Sequence, residues 1–415
     1  MGLPAESQQA SNGALKKVII VGAGPSGLLL GILLAKHGIN VELLEATTVL
    51  DEQPRAAHYA PPAVHELRRA GVLDDVTAQG FKPSTFCWRK SDGSLICGMK
   101  LDAIPDYPDR MVVLPLDQLG KVLKKHLEAQ PTAKILWNHT VKTVGQDEGK
   151  AWVEVETPEG KKKMEADYVV GCDGGNSQVR RSLFGDMNYP GEALNAVIIA
   201  TNVYYDFTKY DYWDSNFIVH PTNWHMVAKI GPNHLYRVTY SDIPGLERDE
   251  YVKRQPQRYR ELLPGKPEPS QYKITNISPY KMQHRCAPSF HQGRFLLAAD
   301  AAHLCNPFGG LGLTGSICDV GSLADCLVGI HEGKADESIL DKYNEVRRKI
   351  YFEIIDPTSR ENFRRLWDQD PEKAGETDPF FQLCKKSETD EQTAKDLALG
   401  LNVLQHDMTQ YYTKS

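Results

Sequence analysis

No uninterrupted apolar run in this sequence approaches the roughly 20 residues needed to cross a bilayer. A membrane-spanning helix is therefore not expected. The first fifteen residues are polar and small and lack an apolar signal core, so they read as a disordered lead-in rather than a targeting peptide. The expected location is the cytoplasm. Paired cysteines are missing as well. Cys87, Cys97, Cys172, Cys286, Cys305, Cys318, Cys326 and Cys384 are scattered, and none forms a CxxC pair. That pattern fits reduced, mostly buried thiols in a reducing compartment. Positive charge is not in excess: 48 Lys and Arg stand against 54 Asp and Glu, a net charge of -6. A nucleic-acid binder would usually show a basic face, so no nucleic-acid partner is expected. Internal repeats and low-complexity tracts are absent.

What is present is ordinary globular material: 41% hydrophobic and 25% charged residues over 415 positions, enough for a large core. At roughly 150 residues per domain this length predicts two or three structural units. Lys17 to Val21 reads as a buried strand, Leu28 to His37 as a buried helix closed by Gly38, and Val41 to Leu44 as a second strand ending at Glu45. This is a βαβ unit. A polar, proline-bearing stretch follows to Pro62, then a helix from Ala63 to Gly71. Strands are expected from Ser84 to Leu101 around a turn at Asp92-Gly93, and a helix from Leu116 to Leu127. A hairpin is expected around Pro158-Glu159-Gly160. From Ala193 to Ser241 the residues are β-branched and aromatic with alternation, which predicts an antiparallel sheet. Leu340 to Phe352 and Arg360 to Trp367 read as helices, and the last thirty residues are polar and weakly patterned.

The chemistry concentrates in three segments. Gly22, Gly24 and Gly27 form GxGxxG between strand and helix. Gly22 permits the tight turn, Gly24 admits a pyrophosphate against the backbone, and Gly27 lets helix and strand pack closely. Pro25 and Ser26 complete the turn, and the helix start offers free N–H groups to phosphates. Glu45, 18 residues after Gly27, is placed to bind ribose hydroxyls and to repel a 2′-phosphate. FAD or NAD thus fits, and NADP does not. The second segment runs from Asp167 through Asp173, Gly174, Ser177 and Val179 to Arg181. The third is a strand, Phe295 to Ala298, that delivers Asp300, followed by the glycine-rich stretch Pro307, Gly309, Gly310, Gly312 and Leu313 opening another helix. Asp300 can accept from a sugar hydroxyl or cap a helix. The loop's N–H groups suit a negative oxygen or a reduced, anionic ring.

These three segments, in this order, resemble the flavoprotein aromatic hydroxylases, the group typified by para-hydroxybenzoate and phenol hydroxylases. The resemblance covers Lys16 to about Ile330. It implies an α/β fold: a discontinuous Rossmann-like FAD-binding domain (16-83, 105-190 and 280-335), an inserted antiparallel β-sheet substrate domain (84-104 and 191-279) and C-terminal helices (336-415). It implies that Gly22, Gly24, Pro25, Ser26, Gly27 and Glu45 bind the ADP half of FAD. Asp173 and Gly174 would lie near the pyrophosphate and also serve NAD(P)H, and Asp300 would hold the ribityl chain. Pro307, Gly309, Gly310, Gly312 and Leu313 would line the flavin ring. Arg55, in Gln53-Pro54-Arg55-Ala56, would contact flavin and gate it, or be a loop charge facing solvent. The sequence departs from the family at Ala299, where glycine usually precedes the aspartate. It also departs at Leu311 and Thr314, where glutamine and asparagine are common, and at Leu116, where arginine or glutamine commonly holds FAD. The length leaves no room for the thioredoxin-like domain of the larger phenol-hydroxylase relatives.

The resemblance further implies the reaction: NAD(P)H, docking transiently, reduces FAD, O₂ adds to give a C4a-hydroperoxide, and one oxygen passes to an electron-rich ring. The partners are thus O₂ and a small aromatic molecule, with the chain a monomer or homodimer. Tyr204, Tyr205, Trp213, Phe217, Trp224 and Tyr236 suit a flat apolar ligand or an ordinary sheet core. His220, His225 and Arg237 can pair with a phenolate or carboxylate or act as base, or serve structure. The spacing of His220 and His225 does not favour a metal. An epoxidase of a natural-product scaffold in secondary metabolism is the nearest alternative, and a non-catalytic binder is a remoter one. A flavin halogenase would carry WxWxIP, and no two tryptophans here are two residues apart.

Overall fold

The computed structural model describes residues 15–52 and 56–413. Short hydrophobic strands alternating with helices produce a six-stranded sheet in the order His291–Gln292, Phe295–Leu297, Tyr168–Gly171, Lys17–Val21, Asn40–Leu44, Ala133–Leu136. Its central pairs are parallel, and a two-residue antiparallel strand closes one edge. Strands buried on both faces need apolar residues throughout, and Val18, Ile19, Ile20, Val169, Val170, Leu296 and Leu297 are nearly inaccessible. The helices Pro25–Lys36, Leu116–Glu128 and Leu311–His331 contribute to this core. The fold is α/β, and the three loops singled out above leave the carboxyl ends of its strands.

A second, eight-stranded sheet runs His303–Leu304, Lys273–Cys286, Gly191–Tyr204, Leu235–Asp242, His225–Gly231, Ser215–Val219, Thr85–Lys90, Leu95–Lys100. It is antiparallel except at one place. The early hairpin Thr85–Lys90/Leu95–Lys100 docks parallel to Ser215–Val219. A parallel pair requires a long connection, and more than a hundred residues separate these two strands. One face of this sheet is covered by the helix Arg248–Leu262, through Tyr251, Tyr259 and Leu262 against Ile199, Val227, Tyr236, Val238 and Tyr240. The periodicity of this helix is hidden by its many charges and by Pro256. The opposite face, carrying Trp88, Ile198, Phe217 and Met282, packs on Phe308, Leu366 and Phe381. The long strand Lys273–Cys286 also escapes the sequence pattern. It lies next to the edge with few buried residues, a position that tolerates Pro279.

All eight cysteines are free, and all but Cys305 are buried. Leu311–His331 is long and apolar enough to cross a membrane, but its most apolar window is 94% buried inside the fold. The final thirty residues are more ordered than their polarity implies. Glu391–Leu399 is a helix, and Leu404 and Met408 are fully buried. Arg347, itself fully buried, joins this tail to the core. Its Nε donates to Asp319 Oδ1 (2.7 Å), Nη1 to the Leu404 carbonyl (2.7 Å) and Nη2 to the Gly315 carbonyl (3.2 Å). Burial works against the Asp319 carboxylate, but His303 and Arg347 outweigh it and hold its pKa below the usual carboxylate range. Removing one member of a buried pair strands the other charge. Arg347→Met is therefore expected to lose about 3–5 kcal/mol in urea unfolding. A single variant as stable as the parent would contradict this account.

Candidate active site

Three neighbouring parallel strands end level with one another: Val21 pairs with Gly171, and Gly171 with Leu297. The Gly22 turn, the Asp173 loop and the Asp300 turn therefore leave the same edge of the sheet side by side, where open α/β sheets bind nucleotides. Gly22 has φ +104°, and an added Cβ would lie 2.5 Å from the Cys172 carbonyl oxygen. A methyl on Gly27 would strike the Gly22 carbonyl. Gly24 differs. Its φ of -65° and ψ of 169° suit any residue, and nothing lies within 4 Å of a Cβ placed there. Among the described residues nothing in the fold requires glycine at this position, and the bare backbone leaves room for a group to approach it. Pro25 opens the helix, and no side chain caps its N-terminus. Glu45 borders the same opening, its carboxylate accepting from the Ala23 N–H (2.8 Å) and from the Thr47 N–H (2.9 Å).

The Asp173 carboxylate is engaged within its own loop. It accepts from Ser177 Oγ (2.5 Å), Gln178 N (2.7 Å) and Val179 N (3.2 Å), and so starts the Gln178–Phe184 helix. Burial raises its pKa, against the pull of these bonds. Gly174, at φ +76°, has open space beyond it. Of this pair, the backbone at Gly174 is the part that can meet a ligand. Arg180, which closes the Asp173-Gly174-x-x-Ser177-x-Val179-Arg180 motif of the second segment, ties the loops together. Its guanidinium donates to the Gly175 and Ala301 carbonyls (2.9 and 3.1 Å) and stacks 3.6 Å from the Tyr189 ring centre. Tyr189 in turn donates to the Asp300 carbonyl (3.0 Å). Asp300 is exposed, inside a short 3-10 turn whose N-cap is Ala298 rather than Asp300. Ala299 stands at φ +61°, which gives the physical reason why glycine suits this position.

The Pro307 loop begins beyond this turn. Pro307 is exposed, Gly309 and Gly310 have φ of +93° and +67°, and a Cβ on Gly310 would meet nothing. Gly310 is the N-cap of Leu311–His331, without a side-chain cap. The Thr314 hydroxyl in the first turn is buried without a partner. Gly312 and Leu313 are half-buried beside it. Uncapped N-termini, open glycine faces and an orphaned hydroxyl form a cradle with the donor chemistry that a dinucleotide and a flat, hydrogen-bonding ring require.

The inner face of the large sheet carries the Arg237 candidate. One row across it reads Phe86, Ser215, Ala228, Arg237, Asn202 and Asn276. Arg237 is buried, with Nε donating to Asn202 Oδ1 (3.1 Å) and Nη2 lacking a partner. Burial lowers its pKa, while Tyr280, Tyr59 and Asp117 act to raise it. His58, from the first unit, reaches this row through Ser215 Oγ (3.4 Å). Burial, then Arg237, lower the His58 pKa to about 4, against Asp214. His58 and Asn202 give no motif in the sequence, because Asn202 meets Arg237 through the sheet register and His58 comes from a separate two-stranded sheet packed on Ser215.

Residues 16–358 match the FAD binding domain family. The chain is 35% identical over 393 residues to the para-nitrophenol 4-monooxygenase of Pseudomonas sp. strain WBC-3, covering 94% of this chain and 96% of that one. It is 35% identical over 361 residues to the 6-hydroxy-3-succinoylpyridine 3-monooxygenase of Pseudomonas putida strain S16, covering 86% and 90%. The crystal structure of p-nitrophenol 4-monooxygenase from Pseudomonas putida DLL-E4 superposes with a TM-score of 0.88 at 34% identity, covering 94% of this chain and 98% of that one. This chain belongs to the FAD-dependent aromatic hydroxylases. It is an FAD-dependent monooxygenase that hydroxylates an aromatic substrate, and use of NAD(P)H is typical of the family.

Within this hydroxylase the structure gives one sequence candidate, His220, a local bracing role. His220 Nδ1 accepts from the Thr222 and Asn223 N–H groups (3.1 and 2.9 Å), which makes it the brace of a turn. Arg55 lies outside the described residues. Of the six aromatics named from the sequence, Trp224 packs on Phe308 and Phe217 on Trp88, on the same side of the sheet as Arg237. Tyr205 and Tyr236 belong to the opposite face, Tyr204 is exposed, and Trp213 covers Gly98. Among the described residues no group of three or more His, Cys, Asp or Glu is arranged to hold a metal ion.

Two measurements follow from this geometry. Gly24→Val is expected to fold with parental stability yet lose FAD affinity by on the order of a hundredfold, read by fluorescence titration. Loss of fold instead would mean that the glycine serves the chain alone. His225 is buried, with Nδ1 on the Asn223 carbonyl (2.8 Å) and Nε2 unpartnered. Burial, with smaller contributions from Arg258 and His220, lowers its pKa to about 4 despite the Asn223 bond. A histidine that stays neutral when folded favours the native state above its unfolded pKa near 6.5. Below that pKa the unfolded chain takes up a proton that the native state refuses, and the resulting loss of stability reaches about 3 kcal/mol near pH 4. His225→Leu should flatten the fall in urea-unfolding stability over this window, and an unchanged slope would refute the assignment.

Proposed function

We propose that the substrate is a small mononuclear phenol bound as its phenolate, with the oxygen against Arg237 and the ring between the inner sheet face and the Pro307 loop. The observation that carries this is the buried guanidinium of Arg237 with Nη2 unpartnered. A fixed cation favours the ionised form of a bound phenol, and ionisation raises the electron density of the ring where oxygen is to be delivered. Asn202 holds the Arg237 side chain at Nε and leaves its outer nitrogen for the ligand. His58, kept neutral, offers a proton acceptor on the same face. The names of the two curated relatives, a nitrophenol and a hydroxypyridine monooxygenase, support a substrate of this size and acidity.

Gly22, Gly24, Pro25, Ser26, Gly27 and Glu45 would hold the ADP half of FAD, Gly174 the pyrophosphate region through its backbone, and Asp300 the ribityl chain. Pro307, Gly309, Gly310, Gly312 and Leu313 would face the ring. When bound, FAD supplies the redox chemistry, taking two electrons from NAD(P)H and activating O₂. The chain orients the phenolate and excludes water with Trp88, Phe217, Trp224 and Phe308, which are packed on the site side of the sheet.

Arg237→Gln should retain bound FAD and the fold while kcat/KM for para-nitrophenol falls by at least about a hundredfold. The pH optimum should move towards the pKa of the free phenol. Turnover at the parental rate with an unshifted pH profile would remove Arg237 from the site.

A further inference from the structure

Beneath the Pro307 loop lies a chain of side chains, buried at Asn306 and His284 and exposed at Glu192, that the reaction itself does not use. Asn306 is fully buried. Its Oδ1 accepts from the Phe308 N–H (3.0 Å), its Nδ2 donates to the Ser359 carbonyl (2.8 Å), and the same Nδ2 stands 3.0 Å from His284 Nε2. His284, 1% exposed, meets Asp356 Oδ1 through Nδ1 at 2.7 Å. Asp356 is held by Arg360 Nε (3.0 and 3.1 Å), and Arg360 Nη1 reaches Glu192 (2.7 Å). Asp356 follows a π-turn, Tyr351–Ile355, just before Pro357 in an otherwise continuous helical stretch. Such turns often mark functional positions.

The bond directions in this chain follow by elimination. An amide oxygen only accepts, so the partner of Phe308 N–H must be Asn306 Oδ1. Both hydrogens of Nδ2 are then committed, one to Ser359 and one to His284. His284 Nε2 must accept, so the ring carries its single proton on Nδ1, donated to Asp356. An imidazolium would set an N–H against an NH₂ group and break the chain at the residue that holds the Phe308 backbone.

We propose that Asn306 and neutral His284 are positioning residues for the Pro307–Gly310 loop, and that protonating His284 releases it. This rests on reading the loop as the seat of the flavin ring. The charged groups facing His284 are Asp356 and Arg360 from the Asp356–Trp367 helix and Glu192 from the Gly191–Tyr204 strand. The two carboxylates favour the imidazolium, while burial and Arg360 oppose it. Burial is the largest of these, and it leaves His284 below the usual imidazole range, so the chain is closed at neutral pH.

The test is the FAD affinity of the full-length protein, by fluorescence titration at about pH 8 and about pH 5. Wild type should bind FAD about tenfold more weakly at the acid end, the equivalent of one hydrogen bond. Asn306→Asp keeps the acceptor for Phe308 but has no donor for Ser359 or His284; the Ser359 bond is lost at every pH, whereas the His284 bond returns with the imidazolium. Its affinity should be about tenfold below wild type at pH 8 and should rise as pH falls. His284→Phe should show no such dependence. A merely structural asparagine would not reverse the sign. FAD bound with a flat profile in wild type, or the parental slope in Asn306→Asp, overturns the latch alone. Wild type that holds no FAD at any pH overturns the underlying reading of the site, and the latch with it. Should Asn306→Asp fail to fold, ring ¹⁵N signals of His284 in wild type decide: a proton on Nδ1 supports the proposal, and one on Nε2 at neutral pH refutes it.

Discussion

The alignment of three strand ends, Val21, Gly171 and Leu297, is the constraint on which the rest of the structure depends. Parallel pairing leaves their loops no choice but to emerge together, and the glycines at 22 and 27 let the first loop and its helix lie close enough to share that edge. Arg180 then fastens the second loop to the third through two carbonyls, with Tyr189 beneath it. Nothing in this arrangement needs an acidic side chain aimed at a reacting atom. The site binds, orients and dries, which is what a protein contributes when a cofactor performs the oxidation.

Two histidine–aspartate pairs lie under the loops that follow. His303 and Asp319, with Arg347, sit below the Ala299 turn, where Asp319 Oδ2 also receives the Ala299 N–H (3.2 Å). His284 and Asp356, through Asn306, sit below Phe308. Buried polar groups are costly unless each is satisfied, so a loop tied to such a pair has few alternative conformations. Through Arg347 the C-terminal segment joins this framework, because its Leu404 carbonyl completes the guanidinium's bonding.

Much of the nucleotide end was legible in the sequence because its requirements are local. A tight turn, a close backbone approach and a helix start each impose a residue type at a fixed offset, and GxGxxG with Glu45 at the end of the next strand states them all. The substrate end was far less legible. Arg237 could be named only beside His220 and His225 as one of three candidates in a patterned segment, and nothing marked His58 or Asn202. His220, equally plausible by residue type, proved to brace its own turn. The helix Arg248–Leu262 was hidden by charge and an internal proline, and the buried tail by its polarity.

By itself the sequence determined the class of fold, the nucleotide cradle and the family, since period, turn chemistry and glycine spacing act over short distances and leave their pattern in neighbouring residues. Only the tertiary structure decided which face of the large sheet Arg237 occupies and which histidine stands beside it. It also decided that Asp173 begins a helix with its carboxylate. Those facts depend on register between strands far apart in the chain, and on the competition of each polar group for the partners that folding brings within reach.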